Sequence, residues 1–336
     1  MDAVVDPLAQ QFLAAAARAA DWIAARQNSD GSFCNAGDSI SGYYKVPFAL
    51  SLAGRQRQAL QLADWIAEHH FSPAGDFGPP GHRGSDHERW PTYQNAWLVQ
   101  GLHRLERWDL SLQGARFLLE YQVPLGGFYA REGETRIVEP VCTSWSGLAA
   151  LTTGYLAAAR KAGDALARMV NLQPEPGRFY FRMDADGNLI TDSPEDGCLF
   201  SYVDADVPGQ IYYNPGIALI FLCHLHRATG QESYLRAAQT LFDFAESCAA
   251  DVYAFPPSGK LGLGCALLFE LTGCPAARGA ALRVGEYLVE TQTPEGIWRL
   301  PEVEPYAAPK YRGGRDIDLD IAAEFSVFLS EIAWRV

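Results

Sequence analysis

Groups able to move protons or hold a polar ligand gather in six short segments of this 336-residue chain. In DSISGYY, Asp38 precedes Tyr43 and Tyr44. A carboxyl walled by aromatic rings ionises reluctantly, which suits a general acid. The competing role for Asp38 is an N-cap or Asx turn. GSDHERWPTYQNAW supplies Asp86, His87, Trp90, Tyr93, Asn95 and Trp97. An Asp-His pair shuttles protons near neutral pH, while a solvated loop has the same composition. CTSWS places Cys142 at a helix start, where a thiol pKa is expected to fall, with Trp145 close by; a plain buried thiol is the alternative. SYVDADVPGQIYYNP sets Asp204 and Asp206 on one side of an extended segment, followed by Tyr212, Tyr213 and Asn214. Its acids also suit a helix cap or a structural cation. PPSGKLGLG offers Lys260 as an anion contact without the GxxxxGK[ST] pattern of a P-loop. RDIDLD carries Asp316, Asp318 and Asp320, with Arg312 and Arg315 available for pairing.

From these segments the expected proton donor is Asp38 or Asp206, assisted by Tyr44, His87 and Cys142. The expected substrate contacts are Tyr43, Trp90, Tyr93, Trp97, Trp145, Asp204, Tyr212, Tyr213, Asn214, Lys260 and Asp318. No metal or other cofactor is expected.

These segments need a scaffold, and an internal repeat supplies it. RAADWIAARQNSDGSF, QGARFLLEYQVPLGGF and RVGEYLVETQTPEGIW share the spacing Gln-x3-Gly-x-aromatic, through Gln27, Gln122 and Gln292. Weaker copies end near Phe77 and Phe179, and residues 234–248 form a sixth helix without the ending. Each copy predicts an amphipathic helix, then a long loop, then a more apolar helix. Six such pairs predict an all-α (α/α)6 toroid with the apolar helices inside. A single domain spans 1–336, with an insertion at about 174–212 holding one hairpin around the DADG turn of residues 184–187. Inner-to-outer connections are short and outer-to-inner ones long, so function is expected on the long-loop face. The Gln is expected to close its outer helix and reach the start of the neighbouring inner helix.

The Gln-Gly-aromatic pattern resembles the QW repeat of the squalene–hopene and oxidosqualene cyclases. More broadly, the chain is similar to the terpenoid-cyclase and protein-prenyltransferase toroids. The chain has room for one barrel, lacks the DxDD proton donor, and contains no Asp-Asp dipeptide for a DDxxD magnesium site. Asp196, Cys198 and Cys223-His224 only partly resemble the zinc ligands of related toroids. A looser likeness is to linalool dehydratase/isomerase, which implies an Asp, tyrosines, a His and cysteines at the mouth. Asp38, Tyr43, Tyr44 and Cys142 would fill those roles.

A net charge of −13 and a pI near 5.0 argue against nucleic-acid partners. No run of residues is apolar enough for a membrane span, and seven scattered cysteines without CxxC suggest a cytoplasmic protein. The inner segments predict an apolar lumen with few charges and an aromatic rim, which stabilises cations by up to about 2 kcal/mol per ring. The leading expectation is therefore metal-independent acid/base cyclisation, isomerisation or dehydration of a small apolar, unsaturated molecule. The alternatives are a carbohydrate-active (α/α)6 enzyme, either a glycoside hydrolase or a sugar epimerase, and a non-catalytic toroid binding a peptide or hydrophobic ligand. Oligomerisation is left open.

Overall fold

Spacing of small and apolar residues three and four apart makes the first helix. α1 (Pro7–Ala24) buries Phe12, Ala15, Ala16, Ala19 and Ile23 on one face. Asp6 caps it by accepting from the Leu8 N–H at 2.9 Å, and Pro7 occupies the first turn. The same logic yields the outer helices α3 (Gln56–His69), α5 (Trp108–Leu119), α7 (Leu156–Asn171), α9 (Glu232–Ser247) and α11 (Pro275–Thr291). Between them run α2 (Val46–Leu52), α4 (Tyr93–Arg104), α6 (Pro140–Thr152), α8 (Tyr213–Thr229), α10 (Gly259–Thr272) and α12 (Arg315–Ala333). Most residues of α6, α8 and α10 are buried, which marks these helices as inner. The computed structural model describes residues 6–79, 88–192, 201–300 and 315–336, with the side chains of Arg315 and Asp316 excepted.

The inner helices pack in sequence, α2 on α4, then α6, α8, α10 and α12, and α12 returns to α2. This is the expected (α/α)6 toroid. Each outer helix packs chiefly on the inner helix before it, while α1 packs on α12 and closes the ring. The tight hairpins are therefore inner-to-outer, joined by residues 53–55, 105–107, 153–155, 230–231 and 273–274. All five connections lie at one end. The long segments, and the first turns of the inner helices, lie at the other.

The repeated joint does work different from that expected. The side-chain amide of Gln27 donates to Gly31 O at 2.9 Å and Gln58 O at 2.8 Å. Gln122 donates to Gly126 O at 2.7 Å and Ala158 O at 2.9 Å, and Gln292 to Gly296 O at 3.0 Å and Ala15 O at 2.9 Å. Gln58, Ala158 and Ala15 belong to α3, α7 and α1, so each Gln ties its turn to a neighbouring outer helix, not an inner one. The glycine lies against the same helix: a Cβ on Gly126, already at φ +112°, would sit 2.3 Å from Lys161 O. The aromatic residue makes the link to the inner layer. Phe128 N–H donates to Thr143 Oγ1 in the first turn of α6, and Phe77 N–H to Asn95 Oδ1 in α4. Trp298 donates its indole N–H to Leu288 O and packs edge-on against Phe325 of α12. The joints thus fix the positions of the inner-helix starts.

Two small antiparallel sheets decorate the long-loop end. β1 (Tyr129–Glu132) pairs with β2 (Thr135–Val138), and β3 (Arg178–Tyr180) with β4 (Tyr202–Asp204). The DADG turn forms, with Asp184 N–H bonded to Asn188 O at 3.0 Å and Met183 bridging Leu189. The strand before it pairs with β4, so the insertion is broader than one local hairpin. The β1–β2 hairpin was not anticipated, because REGETRIV reads as charged loop. No helix among the described residues is long and apolar enough to cross a membrane.

Candidate active site

Lys45, the residue immediately before α2, is 3% exposed and carries its charge into the ring. Its Nζ donates to Asp320 Oδ2 at 2.9 Å and also to Glu324, both on α12. Lys260, in the first turn of α10, reaches the other oxygen of Glu324. Aromatic rings wall this quartet. Lys45 Nζ lies 5.0 Å from the Tyr44 ring and 5.9 Å from both Tyr93 and Trp97 of α4. Lys260 Nζ lies 5.6 Å from Tyr213 at the start of α8. Trp97 in turn packs on Trp145 of α6 with centroids 4.2 Å apart. Five inner helices and the residues just before α2 therefore contribute to one connected set of side chains. Side chains from all round the ring converge here, which places the set in the lumen.

Asp320 and Glu324 stand one helical turn apart, yet their environments push them in opposite directions. Burial raises the Asp320 carboxyl, and Lys45 offsets only part of that. Burial acts on Glu324 too, but Lys260 and Lys45 together outweigh it and bring its pKa down to about 2. Desolvation opposes the Lys45 ammonium, and the two carboxylates more than restore it. Tyr44 is held well above the ordinary tyrosine range, by burial first and by the facing Asp320 second. The arrangement is a carboxylate with a raised affinity for a proton, a more firmly ionised carboxylate, two cations and neutral phenols. Such pairs of unlike carboxyls divide acid and base work between them.

A second carboxyl lies on the α4–α6 wall. Glu139 is 3% exposed, fills the single position between β2 and α6, and accepts the Trp90 indole N–H. Its pKa rises to about 6, chiefly by burial, with Arg89 pulling the other way. Arg89 bonds Glu132 of β1 at 3.1 Å, and Arg182 bonds the same carboxylate.

The expected site residues divide sharply. Tyr44, Tyr93, Trp97, Trp145, Tyr213 and Lys260 meet in the lumen. Tyr43 points the other way, edge-on to Trp65 of α3 and to His70. Asp38 is exposed, and its carboxylate reaches back to accept Asn35 N–H at 2.8 Å, which fixes the loop without forming the expected N-cap or Asx turn. Asp206 is exposed too, and its N–H donates to Asp204, which itself pairs with Arg178 Nε at 2.8 Å on β3. Neither aspartate has the apolar, aromatic surroundings expected of the proton donor. Tyr212 donates to Asp251 at 2.9 Å and braces the loop before α10. Asp318 faces outward and binds Arg299 through both oxygens at 2.6 and 2.7 Å. Trp90 holds Glu139, and Asn214 Oδ1 is buried in α8 with no hydrogen-bond partner among the described residues. The expected lowering of Cys142 does not occur: burial first, and Glu139 second, raise the thiol. Asp86, His87, Asp196 and Cys198 lie outside the described residues. His224 is mid-helix in α8, its imidazole driven down to about 4 by burial. Among the described residues no three His, Cys, Asp or Glu side chains gather as a metal site.

Sequence reasoning missed Lys45, Glu139 and Glu324, gave Asp320 no role at the site, and expected a lumen poor in charge. One signal was available: in YYKVPFALSLAG a lysine stands between two tyrosines and an apolar helix, where only a partnered charge is tolerated.

No protein-family model matches the chain, and no curated protein matches it by sequence. Solved structures do match in three dimensions. A D-mannose isomerase superposes with a TM-score of 0.70 at 13% identity, covering 100% of each chain. An α-mannanase of glycoside hydrolase family 76 from Bacteroides thetaiotaomicron gives 0.64 at 13% identity, covering 96% of this chain and 95% of its own. A type II terpene cyclase from Scytonema, in complex with its product merosterolic acid A, gives 0.60 at 14% identity, covering 98% and 99%. At such identities the shared property is the path of the chain, and this protein has the fold of an (α/α)6 toroid.

Proposed function

We propose that this protein is an enzyme moving protons on a hydroxylated, carbohydrate-type small molecule at the luminal cluster. The observation that carries this reading is the buried Lys45–Asp320–Glu324–Lys260 network. A lumen serving only an apolar chain gains nothing from four desolvated charges, each costing several kcal/mol before pairing. A polyhydroxylated ligand uses them. Lys45 and Lys260 stabilise negative charge that develops on a ligand oxygen. Asp320, beside the Tyr44 phenol, takes up and returns a proton. Glu324 stays ionised and holds both lysines in place. The faces of Tyr93, Trp97 and Trp145 give a sugar ring an apolar seat. The indole N–H groups of Trp97 and Trp145 are buried without an acceptor among the described residues, and suit ligand hydroxyls. Two of the similar folds act on mannose or mannan, according to their descriptions, which makes mannose and α-1,6-mannosides the first compounds to try.

The aromatic wall supports a second reading, acid-initiated chemistry on an unsaturated terpenoid. One panel separates the two. Purified protein is incubated with D-mannose, α-1,6-mannobiose and geranylgeranyl compounds, and products are followed by NMR. The first reading expects sugar turnover. Turnover of the geranylgeranyl compounds alone would replace it with the second, and no turnover with tight binding would favour a non-catalytic toroid.

A further inference from the structure

Glu139 is a buried acid that the luminal quartet does not use. Pro140 follows it and occupies the first turn of α6, which keeps Glu139 extended at φ −144°, ψ 161°. Its backbone is therefore fixed, and the Trp90 indole holds its carboxylate. It is held where β2, α6 and the segment before α4 converge. Among the described residues one side-chain hydrogen bond reaches it, from the neutral indole of Trp90. The charged groups around it are Arg89 before α4, Arg182 after β3 and Glu132 on β1, with the Cys142 thiol on its own helix. Glu132 takes bonds from both guanidiniums and draws their charge away from Glu139.

Cys142, three residues after Glu139, reaches Thr92 beside Tyr93 and links the starts of α6 and α4. Three residues after Trp90 stands Tyr93, and Trp145, six after Glu139, packs on Tyr93 at 6.3 Å and on Trp97. Tyr93 and Trp97 border Lys45. Glu139 thus stands at the long-loop end of the α4–α6 wall that carries Tyr93, Trp97 and Trp145.

We propose that Glu139 is the general acid of this mouth, delivering its proton to an oxygen of the ligand seated against Tyr93 and Trp145. The inference rests on the carbohydrate-type reading above. In the step, the Glu139 O–H bond breaks and a ligand O–H bond forms. In isomerisation that oxygen is the carbonyl, the adjacent C–H proton goes to the Asp320 carboxylate and its electron pair becomes the C=C bond of an enediol. In hydrolysis it is the glycosidic oxygen, its bond to the anomeric carbon breaks, and the water that forms the new C–O bond gives its proton to Asp320. No electrons are exchanged with an outside reagent. Burial beside an indole keeps the Glu139 proton available near pH 6, whereas Glu324 is ionised throughout the neutral range.

Two measurements test this. Intrinsic fluorescence is titrated from pH 4 to pH 8 in wild type, Glu139→Gln and Trp90→Phe. The expected result is a transition with a midpoint near 6 that both variants lose. Its absence in wild type, or its persistence in Glu139→Gln, overturns the assignment. Rates on the sugar that wild type converts are then compared. Glu139→Gln is expected to lose about 100-fold or more in kcat with little change in KM, together with the high-pH limb, and Glu139→Asp to recover part of it. A Glu139→Gln variant with wild-type rates and pH profile overturns the acid role. Wild type that titrates at Glu139 but converts geranylgeranyl compounds, not sugars, supports the acid and sinks the carbohydrate reading.

Discussion

Lys45 and Glu139 are both buried ionisable groups at the mouth, and they make opposite demands on the fold. Lys45 pairs with two largely buried carboxylates, and its removal leaves Asp320 without its cation and Glu324 with Lys260 alone. Lys45→Met is expected to cost about 3–5 kcal/mol, and pairing it with Asp320→Asn to restore part of that. Denaturant unfolding of the single and double variants checks both values. Glu139 instead takes its hydrogen bond from a neutral indole, with Arg89 and Arg182 acting on it from nearby. Its pKa rises from 4.5 to about 6 on folding, so the native state holds the proton more tightly. The stability this contributes is complete below about pH 4.5 and is lost as pH rises through 6. Glu139→Gln should therefore be less sensitive over that window, and more stable than wild type at pH 7 by up to about 2 kcal/mol. A variant whose stability falls as steeply as wild type between pH 4.5 and 7 would show that another group sets the dependence.

The joints and connectors carry the scaffold, and they were the most legible part of the chain. Gln27, Gln122 and Gln292 act within their own turns, so a fixed spacing announces them. Their second partners, on the next outer helix, were misjudged because packing between repeats leaves no local mark. The luminal quartet was illegible for the same reason: Lys45 and Glu324 stand 279 positions apart. RDIDLD opens α12, so the helical period divides its aspartates. Asp318 therefore turns outward to Arg299 while Asp320 and Glu324, four apart, share the inner face. The connectors give a sharper test. Gly54, Glu106 and Gly154 are the middle residues of 53–55, 105–107 and 153–155, and all are left-handed, with φ of +71°, +61° and +87°. Only Glu106 carries a side chain in this conformation, at a cost of about 1–2 kcal/mol. Glu106→Gly is expected to raise stability by up to about 1 kcal/mol after the entropy of the unfolded chain is counted. Gly126→Ala, driven into Lys161 O, should lower it by more than about 1 kcal/mol. Thermal melts of the two variants should move in opposite directions.

At the scale of the whole molecule, ring closure by α1 and α12 brings the last inner helix back beside the first and completes the site. Without that closure, Asp320 and Glu324 would have no Lys45 to face. The toroid was predictable from the repeat, but its chemistry depends on charges that meet only when the ring shuts. Function therefore has to be read from the lumen and not from the fold, which isomerases, hydrolases and cyclases share. We propose that this buried charge network performs proton transfer on a hydroxylated substrate. The most direct measurement is an NMR time course in D2O of D-mannose and α-1,6-mannobiose with wild type and Asp320→Asn in parallel. The account predicts conversion by wild type and a loss of at least about 100-fold in the variant, with the fold intact by circular dichroism. Equal rates in the two proteins, or no conversion of either sugar by wild type, would contradict it.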